Sequence, residues 1–193
     1  MALFSDISPE ALEVGEVVKN RTPSAELSLN GAKFRCSLAT HSEPCGVPWH
    51  PQGFDGDTHK RVNLTLIISP ECKEWVQKVE AAVLTKLQAD PAKFLEGATA
   101  DMIALLWRSA LKDGHAAPMF RVKMTSGGYN QVRTWGPGRQ RIQLPDDLGG
   151  SKCVPLICAK HVWISNSTIG ILWECSDLLV VSTRPPEECP WDV

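Results

Sequence analysis

The chain has 193 residues, of which 22% are charged and 43% hydrophobic, and a formal net charge of −2. That balance excludes a long disordered chain, and the length allows one domain with a core that needs no disulfides. The near-neutral total argues against a nucleic-acid partner until it is divided along the chain: residues 1–69 carry −2, 70–115 −1, 116–184 +4 and 185–193 −3. Segregated charge of this kind points to a partner for the positive part.

Residues 1–16 read as a short leader with a helical turn after Ser8-Pro9. They hold Asp6 and Glu10 and no apolar run, so no secretory signal is expected, and no stretch approaches the ~20 apolar residues of a membrane span. Residues 17–69 alternate in the manner of β-strands. Asn30-Gly31 marks a hairpin turn, after which Phe34, Cys36 and Leu38 share one face and Lys33 and Arg35 the other. Residues 41–57, rich in Pro and Gly, predict a loop, and Val62, Leu64, Leu66 and Ile68 give the next strand a buried side.

The period then changes. Ser69 caps a helix with Pro70 at its first position, and Cys72, Val76, Val79, Val83 and Leu87 form its apolar stripe. Asp90-Pro91 interrupts it. Thr99 caps a second helix whose buried side is Met102, Ile103, Leu106, Trp107 and Ala110, ended by Gly114. Residues 70–113 thus predict a helical pair. From Pro118 the period returns to two, with Phe120, Val122 and Met124 inward and Arg121 and Lys123 outward. Gly127-Gly128 and Gly136-Pro137-Gly138 are turns, Arg139 and Arg141 share a face, and residues 152–165 and 169–181 form a last hairpin through Asn166-Ser167-Thr168. Strands, helices and strands around one core predict an α+β fold: a small antiparallel β-barrel over 17–184, with the helices inserted at 70–113 and an acidic tail at 185–193.

The chain has seven cysteines, Cys36, Cys45, Cys72, Cys153, Cys158, Cys175 and Cys189. Their odd number and scattered spacing do not make a disulfide framework, and several lie on apolar faces where a thiol packs as a small hydrophobe. A reduced, intracellular setting is expected, in which Asn63-Leu64-Thr65 and Asn166-Ser167-Thr168 are chance matches to the glycosylation pattern. Cys36, His41, Cys45 and His50 have the residue types of a zinc site but lack a tight C-x₂-C clip, and Cys36 already fits a buried strand face, so no metal is expected. No nucleophile elbow, zinc-protease or phosphate-loop motif is present, and Cys153 and Cys158 fall on opposite strand faces, so neither an enzyme nor a cofactor is expected.

The positive β-half carries Arg121, Lys123, Arg133, Arg139 and Arg141 with Tyr129 and Trp135 among them. Cations that contact phosphates and aromatic faces that stack on bases are the two components of a single-strand binding surface. A solvated sheet face with an incidental Trp has the same pattern. Of the other tryptophans, Trp75 and Trp107 fall on helices and read as core, while Trp163 and Trp173 flank the last hairpin as core or platform.

The block 155–180, in which Val162-Trp163-Ile164 turns through Asn166-Ser167-Thr168 and Gly170 into Ile171-Leu172-Trp173, resembles the C-terminal hairpin of OB-fold single-stranded-DNA-binding proteins of short-tailed phages and of large eukaryotic DNA viruses and some protists. Pro118-Met119-Phe120-Arg121-Val122-Lys123 resembles the strand after their helical insertion, so the similarity spans 17–181. It departs from them at Pro44-Cys45-Gly46-Val47-Pro48, which lacks their aromatic, and in a short tail without a terminal Phe. The resemblance implies a non-catalytic single-stranded-DNA-binding protein of replication, recombination or repair, in a nucleus or a viral replication compartment. Phosphate contacts would come from Lys33, Arg35, Lys60, Arg61, Arg121, Lys123, Arg133, Arg139 and Arg141, and stacking from Trp135, Tyr129 and Phe34. Replication proteins would be recruited by the tail residues Glu187, Glu188, Trp191 and Asp192, and a homodimer is compatible with the pattern. The alternatives are a protein-interaction or assembly module without nucleic acid, and a zinc-stabilised module on the four Cys and His residues.

Overall fold

The computed structural model describes residues 2–19, 23–53, 61–112, 117–129, 131–165 and 167–183. Its strands in chain order are β1 (Leu12–Val18), β2 (Ser24–Leu29), β3 (Ala32–Lys33), β4 (Arg35–Ser37), β5 (Cys45–Gly46), β6 (Gln52–Gly53) and β7 (Arg61–Ile67). Three helices follow, α1 (Pro70–Ala89), α2 (Pro91–Phe94) and α3 (Ala100–Leu106). The remaining strands are β8 (Leu111–Lys112), β9 (Met119–Thr125), β10 (Arg133–Trp135), β11 (Arg141–Ile142), β12 (Lys152–Ile164) and β13 (Ile169–Ser182). The fold is mixed α+β and mostly sheet.

All strands belong to one sheet. β12 and β13 form the long antiparallel hairpin, with Trp163 opposite Gly170 and Cys158 opposite Glu174. β7 pairs antiparallel with β9 along its length. β9 and then β10 run parallel to β13 on the edge that β12 leaves open. Because β5 joins β12 to β7, the pairings β12–β5–β7–β9–β13–β12 return on themselves. Period-two alternation turns Leu64, Leu66, Phe120, Val122 and Trp173 to the inside of this circuit. Asn30 and Gly31 both take positive φ, 52° and 72°, as a two-residue hairpin turn requires, so β2 and β3 meet there.

Helix α1 starts where Ser69 Oγ accepts from the Cys72 N–H at 3.1 Å, with Pro70 in the first turn. Its Trp75 ring meets Phe4, Phe34 and Trp173, and Phe120 meets Trp173 edge-on with centroids 5.3 Å apart. The Trp75 Nε1–H donates to the Ile7 carbonyl at 3.1 Å, so the first residues close over the aromatic core.

Several expectations change. The leader ends earlier than residue 16, because buried Leu12 begins β1 opposite Leu29. The loop at 41–57 contains β5 and β6, too short to alternate. The helical insertion is three helices rather than a pair and ends at Leu106, not 113. Trp107 is already extended, the Arg108 N–H donates to the Ile169 carbonyl at 2.7 Å, and Leu111 and Lys112 pair with β9. With only seven residues, α3 buries Ile103 alone, leaving Met102 43% exposed and Trp107 half-buried. Gly114 lies outside the described residues. Among the described residues no helix is long and apolar enough to cross a membrane.

Candidate nucleic-acid interface

β9 and β13 pair at only two positions, Lys123 with Glu174 and Met124 with Cys175. Toward their starts the segment 107–112 is interposed between them. Trp107 bridges to Ile169, the Arg121 N–H donates to the Ala110 carbonyl at 3.0 Å, and Leu111 pairs with Phe120. We call this segment the strap. A groove of about 330 Å³ opens beside it. Its lining includes Asn63 of β7, Arg108 of the strap, Arg121 and Lys123 of β9, Trp163 of β12 and Leu172 of β13.

Each side chain is placed by a stated constraint. Val162 and Ile164 point into the core, so Trp163 points out. Its indole lies against Gly170, where a Cβ would come within 2.9 Å of Trp163 Cζ2 and of the Arg108 carbonyl oxygen. Arg108 is tied down by Nη1, which donates to the carbonyls of Leu105 at 3.0 Å and Trp107 at 2.8 Å. Cross-strand register carries the outer face on from the groove: Asn63, Lys123, Glu174, Cys158 and Arg35 stand opposite one another on β7, β9, β13, β12 and β4.

The electrostatics of this face are strained toward positive charge. The Lys123 ammonium is pushed below the usual lysine range by burial and then by Arg61 and Arg121. Burial and then Arg121 push Lys112 the same way. An anion placed among these groups would relieve both. Glu174 answers part of the charge by accepting from Lys160 Nζ at 2.8 Å.

Arg133, Trp135 and Arg141 form a second cluster on β10 and β11, outside this groove. Arg133 Nη2 donates to Asp177 Oδ2 at 2.7 Å, Trp135 Nε1 donates to Asp177 Oδ1 at 3.1 Å, and Arg141 lies over the Trp135 ring 5.5 Å from its centroid. Burial pushes the Asp177 carboxyl up, but the donors Arg133, Trp135 and Ser176 and the Arg133 charge outweigh it, and the group titrates below the usual aspartate value. Trp135 is therefore held by its edge and covered on one face.

The remaining candidates fall in four places. Arg35 ends the cross-strand row, and Lys33 is exposed beside it on β3. Arg139 is exposed in the turn before β11 with a positive φ of 60°, and Tyr129 is fully exposed between β9 and β10. Phe34 must be corrected as a stacking residue: it is 1% exposed and packed between Trp75 and Trp173. Lys60 and the tail residues Glu187, Glu188, Trp191 and Asp192 lie outside the described residues. Cys36 and Cys45 sit in the core, where burial pushes both thiols up to about 12, while His41 is exposed. Among the described residues no three His, Cys, Asp or Glu side chains gather as a metal site.

Pattern reading missed Arg108 and Asn63 in the groove and Lys112 beside Arg121. For Trp163 the signal was present in its buried neighbours Val162 and Ile164. For Arg108 it was absent, because only the tertiary clamp on the strap turns that residue outward.

No family model matches the chain, and no curated protein does. Solved structures do. The chain is similar to gp2.5, a single-stranded DNA binding protein encoded by bacteriophage T7, at 12% identity and a TM-score of 0.49, covering 82% of this chain and 92% of that one. It is also similar to the single-stranded DNA-binding protein from bacteriophage Enc34, at 10% identity and a TM-score of 0.49, covering 93% of this chain and 96% of that one. The same Enc34 protein in complex with single-stranded DNA gives 10% identity and a TM-score of 0.46, covering 91% of this chain and 97% of that one. Identities near one residue in ten carry no residue roles across.

Proposed function

We propose that this chain is a non-catalytic single-stranded-DNA-binding protein whose strand path crosses the outer face of a small OB-like barrel. The observation that carries the reading is the convergence of Arg108, Arg121 and Lys123 with the half-buried Trp163 on one groove of about 330 Å³. The three cations neutralise phosphates, and the indole offers a flat apolar surface to a base, at about 1–3 kcal/mol per stacked base. Arg61 and Lys112 extend the positive field, and Lys33 and Arg35 continue it along the row past Glu174. Arg133, Arg139 and Arg141 supply a second stretch of contacts, with Tyr129 and Trp135 as further stacking surfaces. Such contacts recognise backbone and π-faces, so sequence preference is weak. We place the protein in replication, recombination or repair, with the acidic tail recruiting partner proteins.

The test is binding of labelled oligo-dT to the full chain, followed by anisotropy at low and moderate salt. Affinity should fall with salt on a log–log plot, with a slope of about −0.7 per phosphate contacted. No binding at low salt, or binding indifferent to salt, refutes the proposal. A second reading, a protein-interaction module, is favoured by Met102 and Leu105, exposed together on α3. It predicts that charge reversal at these two residues abolishes partner binding while oligo-dT has no effect.

A further inference from the structure

The groove depends on the strap, and the strap converges on one buried acid. Glu80 of α1 is 7% exposed. Its Oε1 accepts the Ala110 N–H at 2.9 Å, and the Ser109 and Trp107 side chains lie near enough to oppose the rise that burial gives its pKa. The strap is thus anchored to one buried side chain two residues from Arg108, which is exposed and lines the groove. The anchored backbone, together with the Nη1 bonds to the Leu105 and Trp107 carbonyls, fixes Arg108 on the outside. The other anchors of the strap are main-chain contacts common to any sequence there, namely the bridge of Trp107 to Ile169, the Arg108 N–H on Ile169, the Ala110 carbonyl on Arg121 and the pairing of Leu111 and Lys112 with β9, together with Arg108 Nη1 on its own neighbours' carbonyls. Glu80 is the side chain from outside the strap that holds it.

We propose that Glu80 is a positioning residue of the nucleic-acid interface, holding the strap so that Arg108 meets a phosphate in the groove between β9 and β13. The inference rests on the proposed single-strand binding and deepens it. A carboxylate buried at a helix surface costs stability unless its oxygens are satisfied, and here the strap supplies the donors. Removal of the acceptor leaves the Ala110 N–H without its partner, and the strap turns to find water. Arg108 then loses its fixed aim even though its own side chain is intact.

The test is a set of double-mutant cycles on the full chain, read by oligo-dT affinity at fixed low salt and by the salt slope. R108A should weaken binding roughly tenfold, the scale of one charge-assisted contact, and lower the slope by about 0.7. E80A should produce the same two changes. Its effect should vanish in the R108A background, where no aimed guanidinium remains to be lost. E80Q keeps one accepting oxygen for the Ala110 N–H and should recover part of the affinity. If E80A does not fold, S109A and W107F each remove a polar group beside the carboxylate from the strap side, and each should weaken binding several-fold with Arg108 present and not without it. Equal losses in both backgrounds would overturn the inference, since Glu80 would then act on the fold alone. So would an unchanged affinity and slope for R108A in a chain that still binds. Failure of the wild-type chain to bind at all would instead overturn the underlying reading.

Discussion

Gly170 is where a single methyl group tests the geometry of the groove. A Cβ at this position would lie 2.9 Å from Trp163 Cζ2, 3.2 Å from Trp163 Cε2 and 2.9 Å from the Arg108 carbonyl oxygen. The two at 2.9 Å are closer than relaxed Cβ contacts come, and the one at 3.2 Å is tight. The Arg108 carbonyl cannot withdraw freely, because the same residue's N–H is held by Ile169 at 2.7 Å. The indole, half-buried on an outward face, is the part that can yield, so G170A should tilt Trp163 out of the groove. Overpacking of this kind costs about 1–3 kcal/mol, and a ring with one free side puts it at the lower end. The loss of a stacking surface is worth about 1–3 kcal/mol per base, or roughly 5- to 150-fold in affinity. Oligo-dT anisotropy and thermal melting should therefore show a large loss of binding with a small loss of stability. W163A should weaken binding equally, and adding G170A to it should weaken binding little further. A G170A protein that binds as wild type does, or a W163A protein that does, refutes the placement of this ring in the interface.

Other predictions rest on the same arrangement. The variant R108A/R121A/K123A should lower the magnitude of the salt slope by about 2, from about 0.7 per lost phosphate contact, measured by titration at several salt concentrations. F34A should cost about 3–5 kcal/mol of stability in denaturant melts, since Phe34 fills the core between Trp75 and Trp173 rather than stacking on a base. Glu80 and Asp177 should give pH dependences of opposite sign in thermal melts. The folded state raises the Glu80 pKa above its ordinary 4.5, so that contribution is full below that pH and is lost as pH rises through the raised value; E80Q should remove the decline. The folded state lowers the Asp177 pKa below its ordinary 3.8, so that contribution is present above this pH and is lost as pH falls through the lowered value; D177N should remove that loss.

What could be read in advance follows from which signals are local. The alternation of Phe120, Val122 and Met124 and the stripe Cys72, Val76, Val79, Val83 and Leu87 are properties of single segments, and both appear buried as read. The Ser69 and Thr99 caps are equally local, and both accept the expected N–H. The two-residue strands β5 and β8 have no period of their own and exist because β7, β12 and β9 provide edges for them. The same limit applied to the site. Outward parity identified Arg121 and Lys123, but parity could not tell that Phe34, next to Lys33 and Arg35, faces an aromatic cluster built from four distant segments. It could not tell that Asp177 gathers Arg133 and Trp135, because β10 and β13 are joined only by the folded sheet. Arg108 was invisible for the reason that makes it interesting: it lies where a helix stops on account of a contact with Ile169, some sixty residues away in the chain.

The closed circuit of strand pairings also has a temporal consequence. Its two longest members, β12 and β13, are the last of the described elements, and β4, β5, β9 and β10 all pair with one or the other. While the chain is being synthesised, β2 lacks its β12 partner and α1 lacks the Trp173 against which Trp75 packs. Contacts of such sequence separation slow folding and leave strand edges open in the meantime. The hairpin that carries Trp163 and Gly170 is therefore also the piece that completes the molecule. A nascent chain becomes both stable and able to present its groove in the same late step, and a truncation anywhere within that hairpin forfeits the two together.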